Sequence, residues 1–116
     1  MTEADCIFCR IGKGEVPAKI VREDEDTVAF RDLDPRAPLH VLVIPRRHIA
    51  SVNDVADTDR DLMGALVTAA RDVARLEGVA EDGYRLVMNT GAAAGQSVHH
   101  IHMHVLGGRD LRWPPG

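Results

Sequence analysis

A chain of 116 residues, 45% of them hydrophobic, can build one core and is too short for two ordinary domains. A formal net charge of −4 and the lack of any Lys/Arg stripe argue against non-specific nucleic-acid binding. No apolar run approaches the roughly 20 residues of a bilayer span, and the acidic start Met1-Thr2-Glu3-Ala4-Asp5 is unlike a signal peptide, so a cytoplasmic protein is expected.

Residues Cys6 to about Gly12 carry Ile7, Phe8 and Ile11 at helical spacing, which predicts a short helix with these three on its inner side. Val16-Pro17 forces an extended entry into a strand over 18–22. Glu23-Asp24-Glu25-Asp26 reads as a solvated hairpin turn, and 27–32 as a second strand. Asp34-Pro35-Arg36-Ala37-Pro38 must break the ladder, because proline has no N–H to give it. The nearly unbroken apolar run 40–45 suits a central strand ended by Pro45. From Asp57 the period changes: Leu62, Leu66, Ala69, Val73 and Leu76 recur every three or four residues, an amphipathic helix capped by Asp57 or Thr58 and closed at Gly78. Strand 84–89 follows, then the small-residue loop 90–96. This order predicts an α+β fold, an antiparallel five-stranded sheet with the helices on one side. Residues 1–5 and 109–116 are expected to be extended tails of a single domain over 1–116.

Four of the six histidines lie within 99–104. From His100 the chain alternates histidine and apolar residue, the period of a strand, so His100, His102 and His104 share one face and Ile101, Met103 and Val105 the other. Alternate strand residues lie roughly 7 Å apart, so one ion is not expected to bind all three. A row of this length suits a phosphate. At neutral pH an imidazole offers a free lone pair and can attack phosphorus without prior deprotonation, provided its other nitrogen is held by an acceptor. By position His102, the middle ring, would face phosphorus, and His104 could donate to a phosphate oxygen or to the leaving group.

The run His100-Ile-His102-Met-His104-Val-Leu resembles the histidine triad motif of the HIT superfamily. Gly95-Gln96-Ser97-Val98, Gly107-Gly108 and Trp113-Pro114-Pro115-Gly116 resemble its HINT branch, the nucleoside phosphoramidases. The resemblance runs from about Ile7 to Gly116 and implies the HIT fold, a two-fold homodimer and hydrolysis of purine nucleoside 5′-phosphoramidates through a nucleotidyl-histidine on His102. It implies that His104 and Ser97 act on the phosphate or the leaving amine, and that His100 serves either in a proton relay or, where it binds zinc, as a support that fixes His102. The nucleotide would be bound by Asp32, Leu33, Phe30, Ile7, Asn89, Gly95, Gln96, Ser97, His102 and His104, with Phe8 and Ile11 either lining the base pocket or plain core. Asp32 reads equally from its residues as a turn aspartate; the resemblance favours the ribose hydroxyls. The loop 91–96 could offer backbone N–H groups to phosphate. Trp113 would close over the site of the other subunit, and the long helix, through Ala65, Ala69 and Ala70, could supply the dimer contact. Two other functions stay open: dinucleoside polyphosphate hydrolysis of the Fhit type, and a nucleotide-binding scaffold with incidental hydrolysis.

Cys6 and Cys9 form a C-x-x-C pair, read in a reducing compartment as metal or redox rather than a structural disulfide. Some HIT proteins are similar here, and the similarity implies a structural zinc held by Cys6, Cys9, His48 and His100; a reduced, empty pair and a redox dithiol are the alternatives. No organic cofactor and no catalytic metal are expected. His40 and His99 read as packed or solvated rather than catalytic.

Overall fold

The computed structural model describes residues 3–116. In chain order the elements are α1 (Ile7–Gly12), β1 (Ile20–Glu23), β2 (Thr27–Arg31), β3 (Leu39–Pro45), α2 (Arg60–Leu76), β4 (Tyr84–Val87) and β5 (Met103–Gly107), with short 3₁₀ turns between them. The strands form one antiparallel sheet in the order β1-β2-β3-β5-β4. β3 is central, and every one of its residues is buried, as its unbroken apolar run requires.

A strand buried on both faces needs a layer on each. Val41 and Val43 of β3, with Met103 and Val105 of β5, meet Leu66, Ala69, Ala70, Val73 and Ala74 of α2. Leu42 and Ile44 point the other way, to Phe8 and Cys9 of α1 and to Val28 and Phe30 of β2. The two helices therefore lie on opposite faces, which corrects the expectation that both pack on one side. Ala69 and Ala70 are spent in the core of this chain, so they are not the close-approach surface the sequence suggested for a dimer. Leu76, the last of the helical repeat, is 64% exposed.

Helix ends also differ from expectation. Neither Asp57 nor Thr58 caps α2. A 3₁₀ turn over Asp57–Asp59 leads into it, and the Asp59 carboxylate turns back to accept the Ala56 N–H at 2.8 Å while pairing with Arg47. Glu3–Asp5 forms a further 3₁₀ turn rather than an extended tail; Met1 and Thr2 lie outside the described residues. The C-terminal segment is tied down by Arg85, whose Nη2 donates to the carbonyls of Leu111 (3.1 Å) and Arg112 (2.9 Å). Gly108 is required where it stands: its φ is +86°, and a Cβ there would sit 2.8 Å from Pro38.

The histidine run is only partly a strand. β5 begins at Met103, paired to β3 from Val43↔Met103 to Leu39↔Gly107. Upstream, the chain leaves the sheet, and Ile44 and Pro45 of β3 pair only with β2. The Ile101 N–H goes instead to the Ile49 carbonyl at 2.7 Å, and the Pro45 carbonyl accepts the His100 ring N–H at 2.8 Å. His100 and His102 thus stand just beyond the strand, both buried.

Candidate active site and metal cluster

A cavity of about 320 Å³ opens on the α1 side of the sheet. Its walls are mostly apolar: Ile7, Phe8 and Ile11 of α1, Val16 to Lys19 of the following loop, and Phe30, Leu33 and Leu42. Asp32, Ser97, His102 and His104 supply polar groups, and Lys19 and Arg31 also line it. The sequence had placed Ile7, Phe30, Asp32, Leu33, Ser97, His102 and His104 in this site, and the fold brings all seven to one cavity. Asn89, Gly95, Gln96 and Trp113 do not line it in this chain; Trp113 is 82% exposed.

The hydrogen bonds determine which ring nitrogen carries the proton in His40, His100, His102 and His104. A carbonyl can only accept, so the 2.8 Å contact between His102 Nδ1 and the His100 carbonyl places a proton on Nδ1 and leaves the lone pair on Nε2. His104 is wired in the opposite sense. The Arg36 N–H donates to His40 Nδ1 at 3.0 Å, so His40 holds its proton on Nε2. That Nε2–H donates to His104 Nδ1 at 2.9 Å, which leaves His104 protonated at Nε2. The two rings lie side by side, centroids 5.1 Å apart, one with a free lone pair and the other with a free N–H. Burial, reinforced by His102 and His40, pushes the His104 pKa down to about 4, so this donor stays neutral. Burial also lowers His40. Asp32 Oδ2 lies 3.4 Å from His40 Nε2, and its Oδ1 accepts the Asp34 N–H at 2.8 Å. Asp32 is thus both turn residue and cavity carboxylate, and the two readings of it are compatible.

His40 was the residue that sequence reasoning missed. Alternation along β3 puts it on the same face as Leu42, which pairs with His104. The available signal was a histidine inside an apolar central strand, since a buried ring nitrogen needs a partner. The partner became identifiable only once β3 was paired with β5.

The second cluster lies on the far side of Phe8, whose ring is 5.1 Å from His102 and 5.9 Å from His100. Cys6 caps α1, its Sγ accepting the Cys9 N–H at 3.4 Å, so one helical turn aims both thiols inward. His100 gives its Nε2–H to the Pro45 carbonyl, which turns the Nδ1 lone pair toward Cys6 Sγ at 3.3 Å, Cys9 Sγ at 3.4 Å and His48 Nδ1 at 3.2 Å. Cys9 Sγ is 3.3 Å from His48 Nδ1. Bond lengths of about 2.3 Å to sulfur and 2.0–2.1 Å to nitrogen give tetrahedral edges of about 3.3 to 3.6 Å between nitrogen and its neighbours. The donor set and its spacing therefore fit a tetrahedral zinc ion. Burial, then the neighbouring Cys6, raises the Cys9 thiol to about 11. Asp32, His40 and His104 also bring one donor atom each within 4.8 Å of one another. There the proton on His40 Nε2 makes the group a hydrogen-bonded chain rather than a cage for a cation.

Fold and site together are those of a histidine-triad protein. Residues 13–111 match the HIT domain, and the chain belongs to that family. It is 50% identical over 107 residues, 92% of this chain and 90% of the relative, to the purine nucleoside phosphoramidase of Escherichia coli (strain K12). A crystal structure of a HIT family hydrolase from Legionella pneumophila Philadelphia 1 superposes with a TM-score of 0.95 at 51% identity, covering 97% of this chain and all (100%) of that one. A histidine triad protein from Clostridium difficile superposes at 0.93 with 39% identity, covering 97% of each chain.

Proposed function

We propose that the chain is a nucleotide hydrolase that cleaves purine nucleoside 5′-phosphoramidates of the AMP-amine type. The observation that carries this reading is the opposed protonation of two adjacent rings, a lone pair on His102 Nε2 and an N–H on His104 Nε2, at the polar end of an apolar cavity. Ile7, Phe30 and Leu33 take the purine, which apolar walls read by shape. Asp32 accepts the ribose hydroxyls. His102 Nε2 attacks the α-phosphorus and the P–N bond to the amine breaks. The departing amine takes a proton from solvent, passed on by the Ser97 hydroxyl, while the single N–H of neutral His104 steadies a non-bridging oxygen. Water then cleaves the new P–N bond to His102, releasing the nucleoside monophosphate and restoring the imidazole.

Zinc in this reading is structural, held by Cys6, Cys9, His48 and His100, and it would fix the residue whose carbonyl orients His102. No step passes through it. The protein acts as a cytoplasmic homodimer, in which Trp113 reaches the partner's site and Asn89 makes an outer contact. The 50% identity to a phosphoramidase supports the substrate class.

The test compares turnover of an adenosine 5′-phosphoramidate with that of a diadenosine polyphosphate, in the wild type and in His102→Ala. Faster cleavage of the phosphoramidate is expected, with turnover abolished and AMP binding kept in the variant. Preference for the polyphosphate, or turnover that survives the substitution, would refute the proposal.

A further inference from the structure

Gln96 stands next to Ser97, yet it does not face the cavity. Its partly buried side-chain amide is engaged at both ends by the protein's own backbone. Oε1 accepts the Gly91 N–H at 3.0 Å, and Nε2 donates to the carbonyls of Ala50 (2.8 Å) and Val98 (3.1 Å). Its backbone N–H goes to the Gly91 carbonyl at 3.1 Å, and those of Ala94 and Gly95 also turn back into the loop. The loop 91–96 therefore spends these N–H groups on itself rather than presenting them to an anion. Two carbonyls at one end of the amide and an N–H at the other settle which end is nitrogen.

Three segments meet on this one side chain. Gly91 opens the loop, and Val98 closes it while lining the cavity and packing on the α1-side core. Ala50 belongs to the stretch that follows β3. In that stretch His48 Nδ1 meets His100 Nδ1, and the Ile49 carbonyl holds the Ile101 N–H between the two inner histidines. Ser97 is exposed, lines the cavity and lies between the two residues that this network pins, Gln96 and Val98. We infer that Gln96 is a positioning residue: it contacts no substrate, and its amide sets where the Ser97 hydroxyl stands relative to His102 and His104. The inference rests on the proposed hydrolysis, in which Ser97 meets the phosphate or the departing amine. Only an amide fits the role. A carboxylate cannot donate to two carbonyls and would repel them, and a methionine of similar length makes none of the three bonds.

The experiment is a double-mutant cycle between Gln96 and Ser97. Gln96→Glu, Gln96→Met, Ser97→Ala and the two doubles are assayed on an adenosine 5′-phosphoramidate, with AMP affinity measured by calorimetry. A displacement of about 1 Å at a reacting centre costs up to roughly a hundredfold in rate, so kcat is expected to fall tenfold or more in both Gln96 variants. AMP affinity should stay within about threefold, and each double should be no slower than its slower single, because both changes remove one contribution. Losses that multiply in the doubles, a loss confined to AMP affinity, or kcat within twofold of wild type would overturn the assignment. Should wild type fail to turn over the phosphoramidate, the hydrolytic reading fails. Positioning is then judged by whether Gln96→Met displaces the Ser97 amide resonance in the AMP complex, an unmoved resonance refuting it.

Discussion

Substituting His40 tests the proton wiring of the site without touching His102. In His40→Leu the Nε2–H that His104 Nδ1 accepts at 2.9 Å is gone. A buried acceptor stripped of its partner costs roughly 1–3 kcal/mol. His104 can recover part of that by moving its proton to Nδ1, but the ring then turns a lone pair, not an N–H, toward the phosphate. If the cost falls on the transition state, kcat drops about 5- to 150-fold, at 1.36 kcal/mol per factor of ten. His40→Gln is the informative companion, because its amide nitrogen can reach the position of Nε2 and donate. The expected order of kcat is wild type, then Gln, then Leu. Steady-state kinetics on an adenosine 5′-phosphoramidate give the rates, and ¹⁵N chemical shifts of the His104 ring give the tautomer. The reasoning fails if His40→Leu retains kcat within twofold, or if His104 in that variant still carries its proton on Nε2.

Three further outcomes follow from the structure. His40, His100 and His104 are all held below the ordinary histidine value by burial, His104 to about 4. The unfolded chain therefore binds more protons than the fold below about pH 6.5. Stability is fully present above that pH and is lost on acidification from 6.5 toward 4, so urea midpoints that stay level from pH 7.5 to 4.5 would contradict these protonation states. Leu66 is fully buried against the sheet; Leu66→Ala should cost about 2–5 kcal/mol, lowering Tm in a thermal melt by about eight degrees or more at roughly 4–8 °C per kcal/mol, and a smaller loss would mean that the cavity collapses. Cys9→Ser should reduce bound zinc, measured by elemental analysis, from about one per chain to a small fraction and lower Tm; wild-type protein with intact thiols and no zinc would end the metal assignment.

Much of the fold was legible because period and burial coincide. The apolar run of β3 predicted a central strand, and the repeat from Leu62 to Leu76 predicted the long helix that covers one of its faces. The placement of α1 was not legible. A six-residue helix carries too few apolar positions to declare its layer, and only the alternation of Val41 and Val43 against Leu42 and Ile44 assigned the two helices to opposite sides. The extent of the histidine strand was misread for a related reason. Side-chain alternation persists past the end of a ladder, whereas the pairing of β5 with β3 stops at Val43↔Met103, two residues short of the end of β3.

By itself the sequence determined which side chains could do chemistry: a nucleophile and a donor two residues apart, a carboxylate, and two thiols within one helical turn. These are local patterns, set by spacing along the backbone. The tertiary structure decided which ring nitrogen of these histidines is free. Protonation of a ring nitrogen depends on the group opposite it, and those groups come from distant parts of the chain: the Pro45 carbonyl for His100, and His40, itself oriented by Arg36, for His104. The same holds for Gln96, whose partners at Gly91, Ala50 and Val98 turn a residue expected to touch the nucleotide into one that braces the loop beside it.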